Sequence, residues 1–164
     1  MSSNTEISTP SVISSEEFLR HWQGHRHLTR RVIEAFPEKE LFSFSIGGMR
    51  TPSQLAHELL AIAAPGLNEI VNGRTEKLQE HDNHATTKTA LLARWDEATD
   101  QINEYWKTLP LTRFHEEILA FGQYPGSVIS SLLYFVDNEI HHRGQMYVYL
   151  RALNIEPPAF WDRP

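Results

Sequence analysis

At 164 residues, with 40% hydrophobic and 22% charged side chains, the chain has the size and composition of one globular domain. Its 15 Lys and Arg against 21 Asp and Glu give a formal charge of -6, which leaves no broad positive field for a phosphate backbone and excludes a general nucleic-acid binder. Cysteine is absent, which excludes disulfides, Cys zinc sites and thiol nucleophiles and makes the 9 histidines the leading candidates for metal ligation.

No run approaches the length of a membrane span, and the opening MSSNTEISTPSVISSEE lacks the basic and apolar regions of a secretion signal, so the expected location is cytoplasmic. Residues 1–13 are rich in Ser and Thr without periodicity and read as a flexible arm; residues 14–164 read as one domain. Ser14 and Glu17 form a capping-box pattern, and Phe18, Trp22, Thr29, Val32 and Phe36 then recur at helical spacing, predicting a first helix over 15–36. Residues 37–50 read as a connector with some extended character. Thr51-Pro52-Ser53-Gln54 predicts the start of a second helix over 52–72, stopped by Gly73 and kinked or interrupted at Pro65-Gly66. Leu91, Leu92, Trp95, Ala98, Ile102, Tyr105 and Trp106 mark a third helix from Thr87 to about 108. Residues 111–124 read as either a short strand or an irregular excursion. Pro125-Gly126 is expected to open the longest helix, running to Leu153 with Asn154 as a left-handed stop. Four helices with loops of this length imply an all-α fold, an antiparallel four-helix bundle.

Polar residues interrupt the apolar stripe of the last helix. Val128, Phe135, His142, Met146, Tyr149 and Leu153 share one arc at 100° per residue, and Ser131 and Asn138 fall on it too. Asn138 and His142 are four apart, the spacing at which two helix residues share one ion, or at which two core residues simply find separate hydrogen bonds. His57 flanks the stripe Leu55, Leu59, Ile62, beside the small Ala61 and Ala64, where a ligand or merely a surface-edge histidine fits. His21 and His25 are a second helical pair, held in reserve, while His81, His84 and His115 fall in irregular segments and are assigned no role. A carboxylate-bridged di-iron site needs two Glu-x-x-His pairs, and only Glu139 with His142 is present. There is no phosphate-binding Gly-rich loop, no Gly-x-Ser-x-Gly elbow and no His-Glu-x-x-His; after His57-Glu58, Ala61 stands at the second His position.

The segment NEIHHRGQMYVYLRALNIEPPAFW, with Ile140-His141-His142-Arg143-Gly144-Gln145, Tyr-Leu-Arg at 149–151 and Pro157-Pro158, resembles the last helix and tail of the DinB/YfiT-like superfamily. A first helix like FLRHWQGHRHLTRRVIEAFP, a Gly-Met-Arg-Thr entry at 48–51 and Leu55-Ala56-His57 extend the resemblance over the chain from about residue 15. The resemblance implies a four-helix bundle, a homodimer, and a divalent metal, zinc or nickel, held by three histidines. Carried over, His57 and His142 are the first and last ligands, and Asn138 stands where the middle histidine is expected. An amide oxygen is a weaker donor to zinc or nickel than imidazole. His141 is turned about 100° from His142 and belongs at the rim or behind the ligands. The implied chemistry is metal-dependent transfer of a low-molecular-weight thiol such as bacillithiol or mycothiol to an electrophile, related to a mycothiol-dependent maleylpyruvate isomerase or to a hydrolase. The alternative is a degenerate relative that binds metal weakly or not at all and serves as a small-molecule-binding or stress-associated protein. A role on DNA, suggested by the superfamily's name, finds no support in the acidic charge balance, and membrane partners are not expected.

Overall fold

The structure, a computed structural model, describes residues 12–79 and 84–163. Nearly all of the N-terminal arm, and His81, lie outside the described residues. The fold is mainly helical: α1 (Ser15–Ala35), α2 (Glu38–Ser43), α3 (Pro52–Asn72), α4 (Lys88–Lys107) and α5 (Val128–Ala152), with a hairpin of β1 (Glu117–Ala120) and β2 (Tyr124–Ser127) between the last two. None of the described helices is long and apolar enough to cross a membrane.

The helix starts follow from side chains that satisfy the free N–H groups of a first turn. Glu17 N–H donates to Ser14 Oγ at 3.1 Å while Ser14 N–H donates to Glu17 Oε2 at 2.8 Å, a complete capping box. Thr51 and Gln54 repeat it on α3, and Thr87 and Ser127 cap α4 and α5 by accepting from Ala90 and Ser130. Gly73 at φ +65° ends α3 in the left-handed conformation that costs glycine least. Asn154, at φ +59°, does the same after α5, and the bonds from Asn154 N–H to Arg151 O and from Ile155 N–H to Leu150 O complete a Schellman motif.

Three sequence expectations need correction, and a fourth, open between a short strand and an irregular excursion over 111–124, resolves to a strand. The connector over 37–50 contains helix α2, whose Leu41 is buried in the core. Helix α3 runs unbroken through Pro65, because one lost bond to the Ala61 carbonyl is outweighed by burial of Leu60, Ala63, Ala64 and Leu67 around it. Residues 111–124 form a short 3-10 turn at Leu111–Arg113, all of β1 and the first residue of β2. Pro125-Gly126 does not open α5: Leu119 pairs with Pro125 and Ile118 with Gly126 in the hairpin, and the helix begins only after Ser127.

Helix α3 packs against α4 and α5, and α1 against the same two, so the core lies between these four long helices. Trp22 anchors it, fully buried, with Trp106 at 6.1 Å and Phe135 at 6.2 Å between ring centroids. Phe135 can approach α3 closely because position 66 is glycine; a Cβ there would overlap the ring. This close α3–α5 contact sets the two helices that carry His57, Glu58, Asn138 and His142.

Candidate functional site

All three sequence-predicted residues are buried, but they meet different partners. His142, 5% exposed on α5, has Nε2 at 2.9 Å from Oε1 of Glu58 on α3, and Nδ1 at 2.8 Å from Oε1 of Gln145 one turn on. Glu58 is also paired with Arg50 from the turn before α3. His57, the residue before Glu58, is turned about 100° away from it around the helix. Its Nδ1–H donates to Ser53 O at 2.6 Å, and its Nε2 accepts from Ala85 N–H at 3.3 Å. The ring lines a cleft of about 160 Å³ with Ala61, Pro65, Glu76 and Arg94. Asn138 is buried on α5, and its Nδ2 has no hydrogen-bond partner among the described residues. The structure thus brings together His142 and Glu58 and directs His57 toward the loop before α4. Among the described residues, no three His, Asp or Glu side chains gather as a ready ligand set.

Charge explains the Glu58 contact. Burial pushes the Glu58 carboxyl up, but its bonds to His142 and Arg50 outweigh that and hold it below its ordinary range. The carboxylate therefore stays ionised at neutral pH, buried with a guanidinium on one side and an imidazole on the other. The two nitrogens of His142 both face oxygen acceptors, Glu58 and Gln145. Each contact is satisfied when that nitrogen carries a hydrogen, and a cation in the place of the Nε2 hydrogen would meet the same carboxylate. His57 is likewise fixed by a carbonyl at Nδ1, with its lone pair on Nε2. Ring nitrogens anchored in this manner are the usual support of metal-ligating histidines.

A second buried cluster occupies the α1–α5 contact. Arg26, fully buried, lies 3.7 Å above the Trp95 ring and reaches Glu139 at 3.5 Å. Glu139, itself 1% exposed, accepts the Thr29 hydroxyl at 2.6 Å, and Arg143 donates to Thr29 at 3.1 Å and to His25 Nδ1 at 2.9 Å. Arg163 from the C-terminal tail approaches His25 Nε2 at 2.8 Å. Burial first, and then Arg143, Arg163 and His21, drive the His25 pKa down to about 3. The reserve pair His21 and His25, with Nε2 atoms 3.2 Å apart, therefore sits beside two guanidiniums, which repel a dication and compete for the single lone pair of the neutral His25 ring.

Sequence reasoning assigned no role to Gln145 or Arg143, and weighed Glu58 and Glu139 only within metal-site patterns that the chain does not complete. The signal for Glu58 was present: it lies three residues after Leu55 and four before Ile62, inside the apolar stripe of α3 rather than opposite it. His141 is exposed, as a rim position requires, with its ring 4.9 Å from that of His142; His84 and His115 are also exposed.

The sequence profile described as the DinB family matches residues 1–162. A DinB-like protein from Bacillus cereus has a similar solved structure, with TM-score 0.72 at 18% identity over 88% of this chain and 95% of its own. A DinB-like protein from Bacillus subtilis superposes with TM-score 0.71 at 20% identity, covering 89% of this chain and 97% of its own. At these identities the likeness is one of fold. No curated protein matches the chain.

Proposed function

The chain belongs to the DinB family, and on that footing we propose that it is a divalent-metal-dependent protein acting on small molecules, with thiol S-transfer as its reaction class and related hydrolysis as the nearest variant. In the same reading the four long helices are the family's antiparallel bundle. The observation that carries the proposal is the anchoring of both imidazoles at Nδ1, His57 by Ser53 O and His142 by Gln145, which leaves Nε2 as the donor on each ring.

The donor chemistry fits zinc or nickel: two imidazoles from His57 and His142, and the Asn138 amide, a weak donor that is buried with its Nδ2 unpaired. When bound, the metal supplies a Lewis acid that lowers the pKa of a thiol and holds the thiolate. Ser53 and Gln145 fix the two rings. Glu58 lies within hydrogen-bond reach of His142 Nε2 and, held ionised by Arg50, can keep a proton there when that nitrogen is not a ligand. The site is buried between α3 and α5, which limits water. Glu58 must part from His142 and His57 from Ala85 before the two rings share one ion, so affinity is expected to fall below that of a three-histidine site.

Those same bonds favour the second reading, a degenerate relative that binds small molecules with little or no metal. Asn138→His separates the two: it should raise zinc affinity by orders of magnitude, read by competition with a chromogenic chelator, if the site is otherwise intact. Zinc binding no tighter than in the parent would sink the metal reading.

A homodimer is part of the proposal. Leu133, Ile140 and Val148 are 47%, 39% and 58% exposed along one outer stripe of α5, with open space at Gly144 between them. Val148→Glu should halve the mass found by light scattering, and an unchanged mass would remove this stripe from the interface.

A further inference from the structure

One cavity lies apart from the candidate histidine ligands. It measures about 300 Å³ and lies between α3, the N-terminal half of α5 and the β-hairpin, with Ile62, Phe121, Tyr124, Ser131, Tyr134 and Phe135 in its wall. None of His57, Glu58, Asn138 or His142 lines it, and among the described residues no charged side chain does. It opens to solvent on one side, and a concave, largely apolar recess of this size is the usual form of a small-molecule site.

One wall is strained. Phe121 adopts φ +52°, the left-handed region that a bulky residue avoids, yet its ring is only 6% exposed. Two features hold it there: Glu69 Oε1 accepts the Phe121 N–H at 2.8 Å, and Gly122 follows at φ +68°. The hairpin turn thus spends backbone energy to place an aromatic ring in the cavity wall rather than to fill the cavity. Opposite, Ser131 is 9% exposed and lines the cavity. Tyr124 and Tyr134, each 55% exposed, mark the side facing solvent.

From this wall we infer that the cavity is a binding site for a neutral, single-ring aromatic molecule carrying one hydrogen-bonding group. The aromatic rings supply flat apolar contact, the described wall offers no charged partner to an ion, and the Ser131 hydroxyl takes the one polar group. Size agrees: an apolar cavity of about 150 Å³ already holds benzene, so this one has room for a ring and a substituent.

The test is calorimetric titration of the full chain with p-cresol, toluene and 4-hydroxybenzoate, run with and without zinc. p-Cresol should bind saturably at one site with the same Kd in both conditions, so the outcome is independent of the metal reading. 4-Hydroxybenzoate, an anion at neutral pH, should bind about 10-fold more weakly or worse. Ser131→Ala should weaken p-cresol by roughly 2- to 10-fold and leave toluene unchanged. Ser131→Leu should fill the space and abolish binding of both; Ala120→Leu, on the hairpin side, serves if that variant does not fold. Absence of saturable p-cresol binding, or undiminished binding in a folded cavity-filling variant, would overturn the inference.

Discussion

Nε2 of His142 lies 2.9 Å from Oε1 of Glu58, although the two residues are 84 positions apart in the chain. The contact ties α5 to α3 with a charge-assisted bond inside a largely buried interface. Removing the charge tests its worth. Glu58→Gln leaves Arg50 and His142 without their shared carboxylate and should destabilise the fold by about 1–3 kcal/mol at pH 7, read from urea midpoints. The effect has a pH signature. The folded Glu58 carboxyl titrates below its ordinary value of 4.5, so its contribution is complete above that value and disappears as pH falls through the folded value. Parent and variant should therefore converge in stability in acid, and a gap that stays constant down to pH 3 would count against this role.

His25 carries the opposite chemistry with the same direction in pH. In the fold its pKa is about 3, against 6.5 for a free ring, so between these values the unfolded chain binds a proton that the folded chain does not. Stability should then fall as pH drops from about 6.5 towards 3. An NMR titration should show the His25 ring neutral throughout the stable range, with His25→Gln flattening this part of the stability profile. A His25 midpoint near 6.5 would contradict the flanking by Arg143 and Arg163.

Glu139 reaches both Arg26 at 3.5 Å and Arg143 at 4.0 Å, with all three buried. Loss of a partner from a buried pair costs far more than the pair's net worth, because the remaining charge stays in a poor solvent. Glu139→Ala should cost about 3–5 kcal/mol, measured by chemical denaturation. A loss under about 1 kcal/mol would mean that water already solvates the two guanidiniums.

The helices were legible because their ends are written in local chemistry. Ser14 with Glu17, Thr51 with Gln54, Gly73 and Asn154 each act within a few residues, and each does in the fold what its type implies. Local signals misled where tertiary packing decides. Pro65 has the local chemistry of a break, but the leucines and alanines around it are buried too well for the helix to open. Pro125-Gly126 has the local chemistry of a helix start, yet the pair is claimed by β1 across the hairpin. At the candidate site, burial of Asn138 and His142 was readable from the stripe they share with apolar neighbours, whereas His57, on the flank of its stripe, fitted a surface edge equally well and is buried in the fold. Their partners were not readable: Glu58 meets His142, and Arg143 meets His25, only after helices distant in sequence have packed.

Whether His57, Asn138 and His142 hold a divalent ion is read most directly from the metal content of untagged protein, by elemental analysis beside a His142→Ala control. About one equivalent of zinc or nickel is expected in the parent, lost in the control. No metal in either protein, even after incubation with excess ion, would contradict the metal reading and leave the Glu58–His142 contact as a purely structural bond between α3 and α5.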